Sequence, residues 1–408
     1  MLKGTEELIK ALPYVEREYI TGLGDRLGFT ESTLLEVVKD ELDLRMWGKR
    51  SVREMITPED EAKGRGACIA KIRKQMEKLR KDPIDYSDFL PSYPSRKHEV
   101  VIEEHPIGFG KCPCPVDGEK TRCCKLTTLD LVMQCAFSCS YCSVRSFYDE
   151  RKIIVPENAK EKLLSLEIPE NVWHIGTGQA SDSLFLGNDY ESLDALEEFA
   201  KLHPEIVIEL KSKSGRCDVF DHKYPGNMVF TWSLNGETVI RKEEHLTASL
   251  GKRIEAAKAA SESGSLVGFH IHPMVNYKGW EDEYRDVVGK ITSTFPPSRI
   301  LMISAGTLVF TKEVIKTMRC EGNPTRVLEM ELTKSAGKYT YPLDVRRKLY
   351  TTLFSYFPKE YRDNVFMYLC LEDPSLWLPA LGREYKNDSE FESDMKKHYM
   401  EKITSSSP

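Results

Sequence analysis

The chain opens on apolar positions spaced by three and four. Leu34, Leu35, Val38, Leu42 and Leu44 keep the helical period and a very polar run covers 60–81, so residues 1–95 read as a helical N-terminal extension. Pro83, Pro91, Pro94 and Pro106 mark 82–106 as an irregular connection. From Lys125 onward the rhythm changes. Short β-branched or apolar runs at 126–133, 172–175, 206–210, 228–234, 266–271 and 300–303 predict strands, and charged stretches of helical period at 158–166, 190–202, 250–263, 281–295 and 312–318 predict the helices between them. Strands alternating with helices pair in parallel through right-handed crossovers. The expected fold is therefore α/β, a partial (β/α)6 barrel of the TIM type, with its active site at the carboxyl ends of the strands. Past Pro342 helices return at 345–357 and 390–402, around an apolar stretch at 365–371. The organisation expected is an N-terminal helical extension (1–95), a cysteine-containing connection (96–124), the barrel (125–342) and a C-terminal helical extension (343–408).

Composition narrows this picture. With 408 residues, 40% of them hydrophobic, the chain can bury a sizeable core. No apolar run approaches the roughly 18 residues that span a bilayer, and the charged opening lacks a signal core, so a cytoplasmic protein is expected. A net charge of -6 gives no global footprint for nucleic acid, although a local basic face is compatible with it.

Cysteine placement brings in chemistry. Of the 11 cysteines, Cys112, Cys114, Cys123, Cys124, Cys135, Cys139 and Cys142 crowd together; Cys68, Cys217, Cys320 and Cys370 are scattered and read as ordinary small buried side chains. In a reducing compartment clustered thiols point to metal or redox use rather than disulfides. Cys135-Ala-Phe-Ser-Cys139-Ser-Tyr-Cys142 has the CxxxCxxC spacing, which wraps three thiolates around three irons of a 4Fe-4S cubane and leaves the fourth iron open. An open iron can chelate the amino and carboxylate groups of S-adenosylmethionine, and one electron then cleaves the sulfonium to a 5′-deoxyadenosyl radical. A structural zinc closed by a fourth ligand is the alternative. Cys112, Cys114, Cys123 and Cys124 form a possible second site for an auxiliary iron-sulfur cluster or zinc, a source of a redox-active thiol, or a merely structural group.

At this point the chain resembles the radical S-adenosylmethionine superfamily and, within it, spore photoproduct lyase. The likeness runs over about 126–341. Besides the triplet it rests on Ala180-Ser-Asp-Ser183, Leu210-Lys-Ser-Lys213, Thr231-Trp-Ser-Leu-Asn235, Thr247-Ala-Ser-Leu-Gly-Lys-Arg253, Val267-Gly-Phe-His-Ile-His-Pro273 and Gly279-Trp-Glu-Asp-Glu-Tyr284. The resemblance implies that Ser181, Lys213 and Ser233 hold S-adenosylmethionine, Lys213 as a point charge on its carboxylate, with Asn235 near ligand or substrate and the His272 backbone touching the ligand. It implies a carbon-carbon lyase acting on a lesion in DNA and fed by an electron donor such as flavodoxin or ferredoxin.

The family returns a hydrogen atom from a cysteine through two tyrosines. Here the matching cysteine position is Gln179 and one tyrosine position is Ser143, leaving Tyr141 as the catalytic aromatic. Radical initiation thus carries over, while the later steps and the substrate stay open: a DNA lesion or nucleobase, or instead RNA, a peptide or a small molecule. A non-catalytic cysteine-rich metal or nucleic-acid-binding module is the reading from another class. Residues 328–341 can form a hairpin turning at Ala336-Gly337; it would present Lys334, Lys338, Tyr339 and Tyr341 to nucleic acid, or pack both tyrosines on the barrel.

Overall fold

The fold is described from a computed structural model covering residues 5–92, 98–112, 120–144 and 152–406. Cys114 therefore lies outside the described residues. Six helices (Thr5–Ala11, Tyr14–Leu27, Glu31–Met46, Val52–Met55, Pro58–Ala62 and Arg65–Lys81) make up the N-terminal region. Reciprocal Ser51/Glu54 and Thr57/Asp60 capping boxes start two of them. The bundle is tied to the rest of the chain by buried charge. Arg319 places its Nε 2.8 Å from Asp43 Oδ1, and the Arg326 Nε donates to the Trp47 carbonyl at 3.0 Å.

The central sheet has eight strands: β1 (Phe109–Lys111), β2 (Thr127–Leu129), β3 (His174–Thr177), β4 (Val207–Ser212), β5 (Met228–Ser233), β6 (Val267–Met274), β7 (Ile300–Thr307) and β8 (Phe366–Leu369). They lie side by side in chain order, all parallel except the antiparallel β1/β2 pair. Helices Ser192–Leu202, Leu250–Glu262, Trp280–Thr294, Lys312–Glu321 and Leu343–Ser355 follow individual strands. Every residue of β5 and β7 is buried, as expected where side chains pack on both faces of a parallel sheet.

All six expected strands are present and the half-barrel holds, but the sheet gains a strand at each edge. The apolar stretch at 365–371 contains β8, and the connection before the barrel contains β1. That connection also holds Glu99–Glu103, which pairs in parallel with Lys152–Pro156. The sheet curls far enough for its edges to approach. Arg122, just before β2, bridges Glu372, just after β8, with the Arg122 N–H donating to the Glu372 carbonyl at 2.8 Å. The helix Asp388–Ser406 lies over this seam, its Asp388 carboxylate accepting from the Cys123 N–H at 3.2 Å.

The expected hairpin forms from Thr333–Ser335 and Lys338–Thr340, with Ala336 (φ 47°) and Gly337 (φ 80°) left-handed at its turn. Its tyrosines pack inward: Tyr341 is buried, its hydroxyl accepting from the Asn276 N–H at 3.0 Å, and Tyr339 lies against the core. Among the described residues no helix is long and apolar enough to cross a membrane.

Candidate active site

The loop after β2 carries the cysteine triplet. It enters through Gln134, a non-glycine residue at φ 73°, and the two-residue strand Ser138–Cys139 pairs antiparallel with Glu244–His245. The Ser140 N–H donates to the Glu243 carbonyl at 2.8 Å, and the Cys142 N–H to the Cys139 carbonyl at 3.2 Å. Glu243 and Glu244 are both fully buried, and both are braced. The Glu243 carboxylate accepts from Thr325 Oγ1 at 2.7 Å, Tyr86 Oη at 2.8 Å and the Arg326 N–H at 2.9 Å. Glu244 takes the Tyr141 hydroxyl and pairs with Arg253 Nη2 at 2.5 Å. Arg253, itself fully buried, also donates to the Ser233 and Ala248 carbonyls at 2.8 and 2.9 Å. Burial pushes the Cys139 thiol up to about 12 and the Tyr141 phenol well above its usual range, the carboxylate of Glu244 adding to the latter.

The triplet loop opens onto a cavity of about 540 Å³, a size suited to a nucleotide-like ligand. Cys135, Cys139, Cys142, Tyr141, Ser181, Lys213, Ser233 and His272 all face it, as do Gln179 and Ser143. The Lys213 ammonium stands 5.8 Å from the centre of the Tyr141 ring. The backbone of Lys213 is fixed by Asp182, whose Oδ2 accepts its N–H at 2.7 Å and whose Oδ1 accepts from Ser212 Oγ at 2.8 Å. Ser181 Oγ donates to Asp130, which also accepts from the Gly178 N–H at 3.0 Å. Gly178 sits at φ 76°, and a Cβ there would come within 2.7 Å of the Lys211 carbonyl, so the strand-to-loop turn needs glycine. Asn235 does not line the cavity. Its amide is spent on the Pro273 carbonyl at 2.9 Å, and its Oδ1 on Gly236 N–H and Tyr284 Oη at 3.0 and 2.8 Å.

Deeper in the barrel lies a constellation that strand periodicity does not reveal. Glu209 accepts from His174 Nε2 at 2.9 Å, His270 Nε2 at 2.6 Å and Thr231 Oγ1 at 3.0 Å, while His270 Nδ1 lies 2.6 Å from Ser304 Oγ. Burial, with Lys211 nearby, pulls His270 down to about 4 and His272 to about 3, so both imidazoles are neutral at neutral pH. Burial alone would raise Glu209, but the contacts with His270 and His174 more than offset it and keep the carboxylate ionised. Phe137 and Phe185 make an edge-to-face contact beside the triplet, with Phe185 partly exposed.

Of the second cysteine group, Cys112 and Cys124 line the same cavity, Cys123 lies buried beside them, and Cys370 joins them from the end of β8. Among the described residues no group of three or more His, Cys, Asp or Glu side chains is arranged to hold a single metal ion, the triplet included. A cubane asks for something else, one thiolate on each of three separate irons, and the single loop of three thiols beside a lysine and two serines fits that cluster and an amino-acid-bearing ligand on it.

Comparison with known proteins gives the family. A sequence model of the spore photoproduct lyase family matches residues 158–369, beginning after the triplet and ending with β8. The spore photoproduct lyase of Bacillus subtilis is 30% identical over 148 residues, which cover 34% of this chain and 43% of that protein. The enzyme of Clostridium acetobutylicum is 34% identical over 68 residues, covering 17% and 20%. The chain thus spans less than half the length of these curated relatives. Among solved structures, a spore photoproduct lyase complexed with dinucleoside spore photoproduct superposes with a TM-score of 0.50 at 21% identity, over 59% of this chain and 75% of the other. A double mutant with bound AdoMet and the same dinucleoside gives 0.52 at 18% identity, over 66% and 81%. The structural likeness shows the shared fold.

Proposed function

The chain belongs to the spore photoproduct lyase family, and from that premise we propose that it is a radical S-adenosylmethionine enzyme acting on a lesion or base in DNA. The observation that supports this most directly is the convergence of the three triplet thiols with Lys213, Ser181 and Ser233 on one cavity, since the triplet lies outside the stretch matched to the family. Cys135, Cys139 and Cys142 would hold a 4Fe-4S cluster. Such a cluster would supply the electron for reductive cleavage of bound S-adenosylmethionine.

The chain's own residues do the rest. Lys213 pairs its ammonium with the ligand carboxylate, and its backbone cannot drift because Asp182 holds it. Ser181 and Ser233 offer hydroxyls to the ligand's polar groups. Tyr141 stands beside the cluster loop with its hydroxyl on Glu244; a phenol that gave its electron to a substrate-derived radical could pass its proton to that carboxylate without solvent. His272 and His270, both neutral, add no positive charge around a cationic sulfonium. Lys338 at the cavity and exposed Lys334 on the hairpin give the mouth positive charge for a phosphodiester backbone. The reduced partner is a small electron carrier of the flavodoxin or ferredoxin kind, and the site of action is the cytoplasm.

Gln179 and Ser143 both face the cavity, and neither can donate a hydrogen atom from sulfur or form a stabilised phenoxyl. This favours, as a second reading, the same initiation on another substrate. Anaerobic reconstitution followed by reductant and S-adenosylmethionine tests the first claim. 5′-Deoxyadenosine should form with the wild type and be lost with Cys139→Ala. Its absence from an iron-loaded wild type sinks the radical reading, and DNA binding unaffected by Lys334→Ala/Lys338→Ala moves the substrate away from DNA.

A further inference from the structure

We propose that Cys112, Cys123, Cys124 and Cys370 hold a second iron-sulfur cluster at the seam where the two edges of the barrel sheet meet. The four residues come from three separate segments. Cys112 follows edge strand β1, with its N–H donating to the Leu126 carbonyl at 3.0 Å. Cys123 and Cys124 precede β2. Cys370 follows edge strand β8, its N–H donating to the Ala305 carbonyl at 2.7 Å. The β1/β2 pairing sets Cys112 beside the Cys123–Cys124 segment, and the curl of the sheet with the Arg122–Glu372 bridge brings Cys370 to them. Cys112, Cys124 and Cys370 then line one cavity, with Cys123 buried next to Cys124. None of the four is in a disulfide.

The backbone at the seam repeats what is seen at the triplet. Among the described residues eight non-glycine positions have positive φ, and three of them adjoin cysteines of the two groups: Gln134 before Cys135, Lys125 after Cys124 and Leu371 after Cys370. A leucine at φ 58° is costly and persists only where the surroundings impose it. Left-handed residues next to ordinary ones turn backbone N–H groups toward a common point, the arrangement that receives the sulfurs of iron-sulfur sites. The Lys125 N–H already donates to Cys123 Sγ at 3.4 Å. Each thiol would release its proton on binding iron. The cluster would reinforce a seam that the backbone bridge Arg122–Glu372 holds, facing the same cavity as the triplet.

The test uses the full-length protein, loaded anaerobically with ferrous iron and sulfide. Wild type should hold about eight irons, and the Cys135→Ala/Cys139→Ala/Cys142→Ala variant about four irons with about four sulfides. Adding Cys124→Ala and Cys370→Ala to that variant should bring iron below about one. A Cys217→Ala control should change nothing. A triplet variant that holds no iron, or holds zinc without sulfide, overturns the proposal. A second measurement needs no change at the seam. In reduced wild type, S-adenosylmethionine should shift the electron paramagnetic resonance of only about half of the cluster signal, because a cluster with four cysteine ligands has no open iron; a complete shift overturns the proposal. Iron in the triplet variant does not depend on S-adenosylmethionine cleavage, so this reading and the radical reading fail separately.

Discussion

Replacing His270 by glutamine should flatten the acid side of the stability profile. His270 is buried against Glu209 and Ser304, and burial holds it neutral by pulling its pKa from 6.5 to about 4. Below about pH 6.5 the unfolded chain takes up a proton at this residue that the folded chain refuses. Stability is therefore fully present above pH 6.5 and is lost as pH falls toward 4. At about 1.4 kcal/mol per unit, the full shift is worth about 3 kcal/mol, of which about 2 kcal/mol is lost between about pH 7.5 and about pH 5. Glutamine can still donate to Glu209 and accept from Ser304, so His270→Gln should cost only about 1 kcal/mol near pH 7.5. Urea unfolding midpoints at the two pH values give the comparison. The variant should lose about 2 kcal/mol less than wild type on acidification. His272, pulled down to about 3, remains in both proteins and supplies the residual slope. Equal losses in the two proteins would refute the assignment of a neutral, buried His270.

Two further substitutions probe the braces around the cavity. Arg253→Met leaves the Glu244 carboxylate buried without its ion-pair partner and should destabilise the protein by about 3–5 kcal/mol in urea titrations, with Arg253→Met/Glu244→Gln recovering part of the loss. Gly306→Ala puts a Cβ 2.9 Å from the His272 ring, so thermal unfolding should show a loss of about 1–3 kcal/mol and equilibrium dialysis a weaker hold on S-adenosylmethionine; unchanged values in both would mean the ring has room to move.

The parts of this molecule that were legible in the sequence are those written in local pattern. Runs such as Met228-Val-Phe-Thr-Trp-Ser233 announce a strand buried on both faces, and the spacing of Cys135, Cys139 and Cys142 already puts three thiols on one loop. The edge strands were not legible. β1 is three residues long with Gly110 at its centre, so it shows no alternation, and β8 pairs with a strand some 60 residues earlier across three helices. Partnership over such distances is a property of the curl of the sheet. The same holds for Cys370, which reads as an ordinary buried thiol until β8 carries it to Cys112 and Cys124. Buried charge is hidden for a related reason: Glu209, Glu243, Glu244 and Arg253 look like solvated residues in sequence, and only their enclosure shows that each is matched by donors or acceptors.

That enclosure explains why the two cysteine segments are built alike. The triplet strand lies on Glu243 and Glu244, and the seam lies on Glu372, whose carboxylate takes Arg346, Tyr350 Oη at 2.5 Å and Thr307 Oγ1 at 3.3 Å while its carbonyl receives Arg122. Buried ion pairs return little net stability, because desolvation consumes most of the attraction. What they do provide is a steep penalty for displacement, since moving one partner strands the other in a medium that cannot solvate it. Loops carrying cysteines through left-handed turns gain fixed sulfur positions from that penalty. Apolar packing around Cys139 or Cys370 would tolerate sliding, whereas a carboxylate held by two or three donors on different elements does not.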